Sequence, residues 1–187
     1  MRKLALVLGA AGLALAGVLG ARTLRSGTRQ PVVAALPPVA VDADRAAQTL
    51  AGALRLQTVS HQDPAAIDAA QFRGLIDYLQ ARFPRVHAAL TRETVNDYSL
   101  LYTWSGSGSG KPVLLLAHLD VVPIEDGSEA QWTQPPFAGA IADGFIWGRG
   151  ALDDKNSVLA ILEAVELLLA AGVQPARPVI LAFGHDE

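Results

Sequence analysis

Two apolar runs of strand length, each followed by histidine and acidic residues, constrain the fold of this chain most. Residues 113–117 (VLLLA) precede His118 and Asp120, and residues 178–183 (PVILAF) precede residues 184–187 (GHDE). Short continuous apolar runs are typical of strands buried on both faces of a mostly parallel sheet. In such sheets, ligands bind at the carboxyl ends of the strands. Both polar clusters are therefore predicted to lie at a ligand-binding edge.

A helix is predicted between the two runs. Gly148 and Gly150 allow a tight backbone path, and apolar residues then recur at helical spacing over residues 158–169. Asp153 and Asp154 are expected at the positive, amino-terminal end of this helix, where carboxylates are favoured. The succession of strand, helix and strand predicts an α/β fold, with a mostly parallel or mixed sheet flanked by helices.

The polar residues at these positions have the chemistry of a metal site. Side chains alternate along a strand, so Asp120 can accept the N–H of one His118 ring nitrogen while the other nitrogen binds a metal. A carboxylate such as Asp153 can bridge two cations, and Glu187 can act as a general base. Simpler explanations remain for each cluster taken alone: a chance tripeptide, a helix cap and an acidic loop.

Four segments resemble the zinc exopeptidases related to carboxypeptidase S, glutamate carboxypeptidase, aminoacylase, acetylornithine deacetylase and succinyl-diaminopimelate desuccinylase. They are residues 117–123 (AHLDVVP), 132–137 (WTQPPF), 148–155 (GRGALDDK) and 183–187 (FGHDE). The similarity is nearest to carboxypeptidase S and the secreted N-acyl amino acid hydrolases. It implies that residues 42–187 are the N-terminal part of the family's catalytic domain, incomplete at its carboxyl end.

The resemblance also implies a role for each site residue. His118 matches the first metal ligand, Asp120 the carboxylate that orients it, Asp153 the bridge between two zinc ions, and Glu187 the general acid and base. The family's remaining ligands, a glutamate, a further acidic residue and a distant histidine, would follow Glu187. We therefore expect the chain alone to bind zinc weakly and to be inactive. Cobalt or manganese could replace zinc, because nitrogen and oxygen ligands accommodate all three.

The function implied is hydrolysis of an amide bond next to a free carboxylate, in a peptide or an N-acyl amino acid, by water that two zinc ions activate. A different function stays open: a membrane-tethered binding or structural module of the same fold without catalysis. A homodimer would form through a domain outside this chain. The net charge of −3 provides no basic surface for nucleic acid.

The amino terminus has the pattern of a targeting segment. Arg2 and Lys3 precede an uncharged apolar run over residues 4–21. As a helix this run would measure about 27 Å, close to the roughly 30 Å of a bilayer's hydrocarbon core. Residues 1–31 are therefore predicted to be a signal-anchor or a signal peptide, the anchor being preferred because no small-x-small cleavage site follows. Residues 32–41 are expected to be a linker. The protein should be membrane-anchored or secreted, with its catalytic part outside the cytoplasm.

Three further expectations concern the region before the first run. Residues 65–82 have the pattern of an amphipathic helix. Residues 85–104 alternate loosely and are predicted to form strands, which would leave His87 facing solvent. Residues 105–110 are expected to form a hairpin-like turn.

Overall fold

The amino-terminal segment and the remainder of the chain form separate compact units, at residues 1–40 and 41–187. The structure is a computed structural model, and it describes residues 2–28, 30, 32–35 and 39–186. Helix α1 (Arg2–Arg25) lies in the first unit and is long and apolar enough, by length and composition, to cross a membrane. The boundaries of the targeting segment, the linker and the catalytic domain stay predictions.

The second unit contains helices on a mixed sheet. Its elements follow in the order α2 (Ala43–Leu54), α3 (Ala69–Arg82), α4 (Pro84–Ala89), β1 (Thr91–Val95), β2 (Ser99–Trp104), β3 (Val113–His118), β4 (Ala140–Ala142), β5 (Phe145–Trp147), α5 (Lys155–Ala170) and β6 (Val179–Gly184). The main sheet has the strand order β1-β2-β6-β3, with β3 and β6 parallel and the other neighbours antiparallel. Strands β4 and β5 form a separate ribbon. The predicted α/β fold with a mixed sheet flanked by helices is confirmed.

The two apolar runs become neighbouring strands. In the register between β3 and β6, His118 lies opposite Gly184. Beyond the strand ends, the Leu119 N–H donates to the Gly184 carbonyl at 2.7 Å. The polar residues that follow the two runs therefore begin side by side at one edge of the sheet.

The burial of β3 on both faces, which the apolar run predicted, is wrong. Leu115 and Ala117 pack against the core, but Leu114 and Leu116 are 53% and 67% exposed. Strand β3 lies at the end of the sheet, and helix α5 packs near one face of it. Within the described residues, no element covers the face that carries Leu114 and Leu116.

The helix predicted over residues 65–82 begins later than expected. Helix α3 starts at Ala69, because the Asp68 carboxylate accepts the N–H of Ala70 at 2.9 Å and caps the helix. A separate 3-10 turn, Pro64–Ala66, precedes it and is capped in the same way by Asp63.

The strand predicted to begin at residue 85 is wrong in its first part, where the structure has helix α4. The Glu166 carboxylate of α5 accepts the N–H groups of Arg85 and Val86, at 3.2 and 3.0 Å, and thereby caps α4 from another element. His87 consequently does not face solvent; its Nε2 is 3.0 Å from the Tyr102 hydroxyl.

The hairpin-like turn expected at residues 105–110 is also wrong. A hairpin would place β2 beside β3, but β6 lies between these two strands. The segment instead runs along the connection before β6, where the Ser107 N–H donates to the Pro175 carbonyl at 2.9 Å.

Candidate metal site

His118 lies between two carboxylates at the carboxyl end of β3. Its Nδ1 is 3.3 Å from Oδ1 of Asp120 and 3.2 Å from the Asp120 carbonyl oxygen. Its Nε2 is 3.1 Å from Oδ1 of Asp153. An Nδ1–H that points at Asp120 fixes the tautomer in which Nε2 presents a lone pair on the side of Asp153.

The two carboxylates differ in their access to solvent. The Asp120 side chain is fully buried, whereas the Asp153 side chain is 76% exposed and the His118 ring is 19% exposed. A buried carboxylate is suited to orient a ring, and an exposed carboxylate can reach a cation that arrives from water. The arrangement therefore has one orienting group and one accessible ligand on opposite sides of the same imidazole.

Thr58 holds the loop that carries Asp120. Its buried hydroxyl donates to the Leu119 carbonyl at 2.7 Å, and its own carbonyl accepts the Val121 N–H at 2.9 Å. The Ser60 N–H then donates to the Val121 carbonyl at 3.0 Å. These bonds satisfy backbone groups of residues 119–121 next to the strand end. Thr58 has no role predicted from the sequence, in which its only local signal is that the helical pattern breaks there.

Lys155 is a second residue to which the sequence analysis gave no role. Its side chain is fully buried, and Nζ donates to the carbonyls of Ala53 and Leu56 at 3.1 and 2.5 Å. Burial lowers the pKa of the Lys155 ammonium to about 7, and the negative charge of Asp120 opposes that shift. The motif at residues 148–155 thus supplies a buried amine near the orienting carboxylate as well as the exposed Asp153.

Gly150 allows the loop that carries Asp153 to approach the loop after β3. It has a φ of +85°, and a Cβ placed there would lie 2.5 Å from Cγ1 of Val121. Asp154 occupies the N-cap position of α5, but its side chain makes no capping hydrogen bond in the part of the chain that the structure describes. Side-chain capping therefore does not explain why two aspartates occur together at this helix start.

The donor set fits zinc in kind. An imidazole nitrogen and a carboxylate oxygen are both ordinary zinc ligands. Across residues 39–186, and in the described part of the amino-terminal unit, no three histidine or acidic residues are grouped around one metal position. Glu187 lies outside the described residues. The roles predicted for His118, Asp120, Asp153 and Glu187 accordingly stay predictions.

Comparison with known proteins gives a family match in the same region. A profile described as Peptidase family M20/M25/M40 matches residues 114–187. Probable carboxypeptidase S-like 2 of Dictyostelium discoideum is 42% identical over 174 residues, or 88% of this chain and 33% of that protein. The N-fatty-acyl-amino acid synthase/hydrolase of Mus musculus is 46% identical over 145 residues, which are 75% of this chain and 28% of that protein. Carboxypeptidase S of Saccharomyces cerevisiae is 40% identical over 148 residues, which are 75% of this chain and 26% of that protein.

Solved structures share the fold at low sequence identity. Human carnosine dipeptidase 1 has a TM-score of 0.61 at 21% identity, covering 76% of this chain and 32% of that one. An M20 family metallo-carboxypeptidase from Sulfolobus solfataricus has a TM-score of 0.59 at 20% identity. The likeness covers 75% of this chain and 30% of that one. At these identities the likeness shows the fold alone.

The match spans the strands and loops that form the candidate site. This chain covers 33% or less of the length of the three relatives described above. The matched segment begins within β3 and includes α5, β6 and all four motifs quoted from the sequence. Residues 114–187 therefore belong to peptidase family M20/M25/M40, and the resemblance found in the sequence is confirmed.

Proposed function

We propose that this chain is part of a metal-dependent hydrolase that cleaves an amide bond next to a free carboxylate. The observation that carries the proposal is the position of His118, with Nδ1 at the buried Asp120 and Nε2 at the exposed Asp153. A histidine oriented by a carboxylate on one nitrogen is the usual form of a metal-ligating histidine.

His118 and Asp153 would hold the metal ion. Asp120 would keep the His118 proton on Nδ1, so that Nε2 remains a ligand, and Thr58 would keep the Asp120 loop in place. Zinc, when bound, supplies Lewis acidity toward a carbonyl oxygen and acidifies water. We assign Glu187 the proton transfer: its carboxylate would accept a proton from the attacking water and return it to the leaving amine.

The names of the relatives favour one substrate class. Carboxypeptidase S and the N-fatty-acyl-amino acid synthase/hydrolase are named for different substrates. A carboxyl-terminal peptide bond and an N-acyl amino acid nevertheless share one group, an amide whose nitrogen belongs to an amino acid with a free carboxylate. We propose this shared group as the substrate here, with a peptide or an acyl chain on the other side.

The ligand set leads us to propose that residues 1–187 are inactive by themselves. A catalytic zinc ion usually has three protein ligands, and the described residues supply a pair, His118 and Asp153. Further ligands would come from the part of the family's length that this chain does not cover. Tight, stoichiometric zinc binding by residues 32–187 alone would contradict this part of the proposal.

We also propose that α1 is a signal-anchor that leaves the catalytic unit outside the cytoplasm. Its described residues are uniformly exposed, and the apolar run over residues 4–21 carries no charge. Arg2 and Lys3 precede the apolar run, as in a segment whose amino terminus stays on the cytoplasmic side.

The test is made on the protein expressed from its complete reading frame. We expect hydrolysis of N-acyl amino acids or of carboxyl-terminal peptide bonds to be lost on chelation and restored by zinc. His118→Ala should lower both the affinity for zinc and kcat/KM by at least about a hundredfold. His61→Ala, at an exposed loop histidine, is the matched control and should leave both unchanged. A protein that contains zinc but hydrolyses neither substrate, or that hydrolyses them despite chelation, would favour the binding-module alternative or a different chemistry.

A further inference from the structure

The side chain of Lys155, the first residue of α5, reaches the carboxyl-terminal end of α2. It is fully buried, and Nζ donates to the carbonyls of Ala53 and Leu56 at 3.1 and 2.5 Å. Ala53 lies in the last turn of α2, and Leu56 follows the end of that helix. A cation is favoured at the carboxyl terminus of a helix. The start of α5, which comes directly after the loop that carries Asp153, is therefore bonded to the end of α2.

The same part of the chain also holds the loop after β3. We call residues 53–60 the support segment. The Leu56 carbonyl accepts the Thr58 N–H at 2.9 Å in addition to the Lys155 amine. The Thr58 hydroxyl in turn donates to the Leu119 carbonyl at 2.7 Å. The support segment is therefore bonded both to the start of α5 and to the loop after β3, the two places from which aspartates reach the imidazole of the candidate metal site.

The aliphatic part of Lys155 adjoins the point at which these two places come together. A Cβ placed on Gly150 would lie 3.6 Å from Cδ of Lys155 and 2.5 Å from Cγ1 of Val121. Gly150 belongs to the loop before α5, and Val121 belongs to the loop after β3. The lysine side chain thus contacts the Asp153 loop along its stem and the support segment at its amine.

The two hydrogen bonds of Lys155 are not needed to satisfy the backbone of the support segment. The Ala53 carbonyl already accepts the Leu56 N–H at 3.2 Å, and the Leu56 carbonyl already accepts the Thr58 N–H. A methionine of similar length would fill the space without the cost of removing an ammonium group from water. The amine therefore adds something that packing does not supply, namely directional bonds between the start of α5 and the support segment.

We propose that Lys155 is a positioning residue, which binds the support segment so that the loop before α5 holds Asp153 beside Nε2 of His118 before any metal ion binds. The inference rests on the proposed function, because it concerns the geometry of the same metal site. An ion binds more tightly when its ligands are already in place, since ordering them on binding costs conformational entropy. Lys155 thereby raises the affinity for zinc without contacting the ion.

The test measures zinc affinity and stability in the protein expressed from its complete reading frame. Lys155→Met removes the amine and keeps the length of the side chain. Arg45→Gln is the matched control, because the Arg45–Glu163 ion pair also joins α2 to α5, but near the amino-terminal end of α2. Both variants should lower the free energy of unfolding. Only Lys155→Met should also lower the affinity for zinc, by about tenfold, as the loss of groups that orient ligands does. Equal losses of zinc affinity in the two variants, or none in Lys155→Met, would overturn the inference.

A second measurement requires neither activity nor zinc. The N–H groups of Arg149 and Ala151, in the loop before α5, donate to the carbonyls of Pro136 and Gly148. In the metal-free wild type these two amides should be protected from hydrogen exchange, and they should exchange faster in Lys155→Met but not in Arg45→Gln. Unprotected amides in the metal-free wild type would overturn the inference even if Lys155→Met did not fold. If the wild type binds no zinc, the proposed function fails, while hydrogen exchange still decides whether Lys155 holds the loop.

Discussion

The His118 ring contacts two aspartates whose environments differ. Asp120, beside Nδ1 of the ring, is fully buried, and Asp153, beside Nε2, is largely exposed. The sequence separation of two residues places Asp120 on the same side of the chain as His118, which the sequence analysis predicted from strand alternation. The approach of Asp153, which is 35 residues away, depends on how α5 packs on the sheet.

Gly150 lies where the loop that carries Asp153 passes close to Val121. Gly150→Ala should destabilise the fold for two reasons: a non-glycine residue at a φ of +85° costs about 1–2 kcal/mol, and overpacking against Val121 costs about 1–3 kcal/mol more. Gly144→Ala is the matched control, because Gly144 has a φ of +81° but no atom lies within 4 Å of its added Cβ. Urea denaturation of both variants measures the difference. Equal losses of stability would show that contact with Val121 contributes nothing.

At the scale of elements, helix α4 is stabilised by a side chain of the neighbouring helix α5. Its six residues are too few for an isolated helix to be stable in water. The Glu166 carboxylate of α5, which is 4% exposed, accepts two of its first N–H groups, and Arg85 adds an ion pair at 3.2 Å. A buried residue of α5, rather than local propensity, therefore converts the alternating pattern of residues 85–89 into a helix.

His87 on this helix is held as a neutral ring. Its Nδ1 is 2.9 Å from the Phe83 carbonyl, which can only accept, so Nδ1 carries the proton. Its Nε2 then accepts the Tyr102 hydroxyl, a group whose pKa burial raises to about 12. Burial is the main cause that lowers the pKa of His87 below its ordinary value of 6.5, and the nearby Arg92 acts in the same direction.

This arrangement predicts the sign of a pH effect on stability. Because the folded pKa of His87 lies below the unfolded value of about 6.5, its contribution is complete above that pH and is lost as the pH falls through the folded pKa. The free energy of unfolding should therefore decrease from about pH 7.5 to about pH 5.5, and His87→Gln should make that decrease smaller. His61→Gln, at an exposed loop residue, is the control. Equal pH dependence of wild type and His87→Gln would contradict a buried neutral ring.

At the scale of the whole molecule, the amino-terminal unit and the mixed α/β unit carry different tasks in our proposal. An arginine in the middle of a membrane-spanning helix costs about 2.5–3.5 kcal/mol on insertion scales. Leu13→Arg, within the apolar run, should therefore move the protein from the membrane fraction to the soluble fraction. Leu24→Arg, next to Arg25 at the end of α1, should not. Membrane flotation after carbonate extraction measures both. Wild-type protein in the soluble fraction would contradict the signal-anchor.

Part of the fold of the whole molecule could be predicted from the sequence. The α/β class, the strands at β3 and β6 and the helix at α5 were predictable, because each has a continuous local pattern of apolar residues. The pairing of His118 with Asp120 followed from the same local geometry. The start of α3 was misplaced because Asp68 and Asp63 both cap helical turns, and a pattern of apolar residues does not distinguish one cap from the other.

By itself, the sequence determined strands β3 and β6, helix α5 and the polar residues next to their ends, since these depend on residues near one another in the chain. The tertiary structure alone decided that residues 84–89 are helical, that Lys155 is buried against the carbonyls of Ala53 and Leu56, and that β3 lies at the end of the sheet. These features depend on contacts between residues far apart in the chain, such as 80 positions for Val86 and Glu166 and 102 positions for Lys155 and Ala53, whose free energies no local pattern contains.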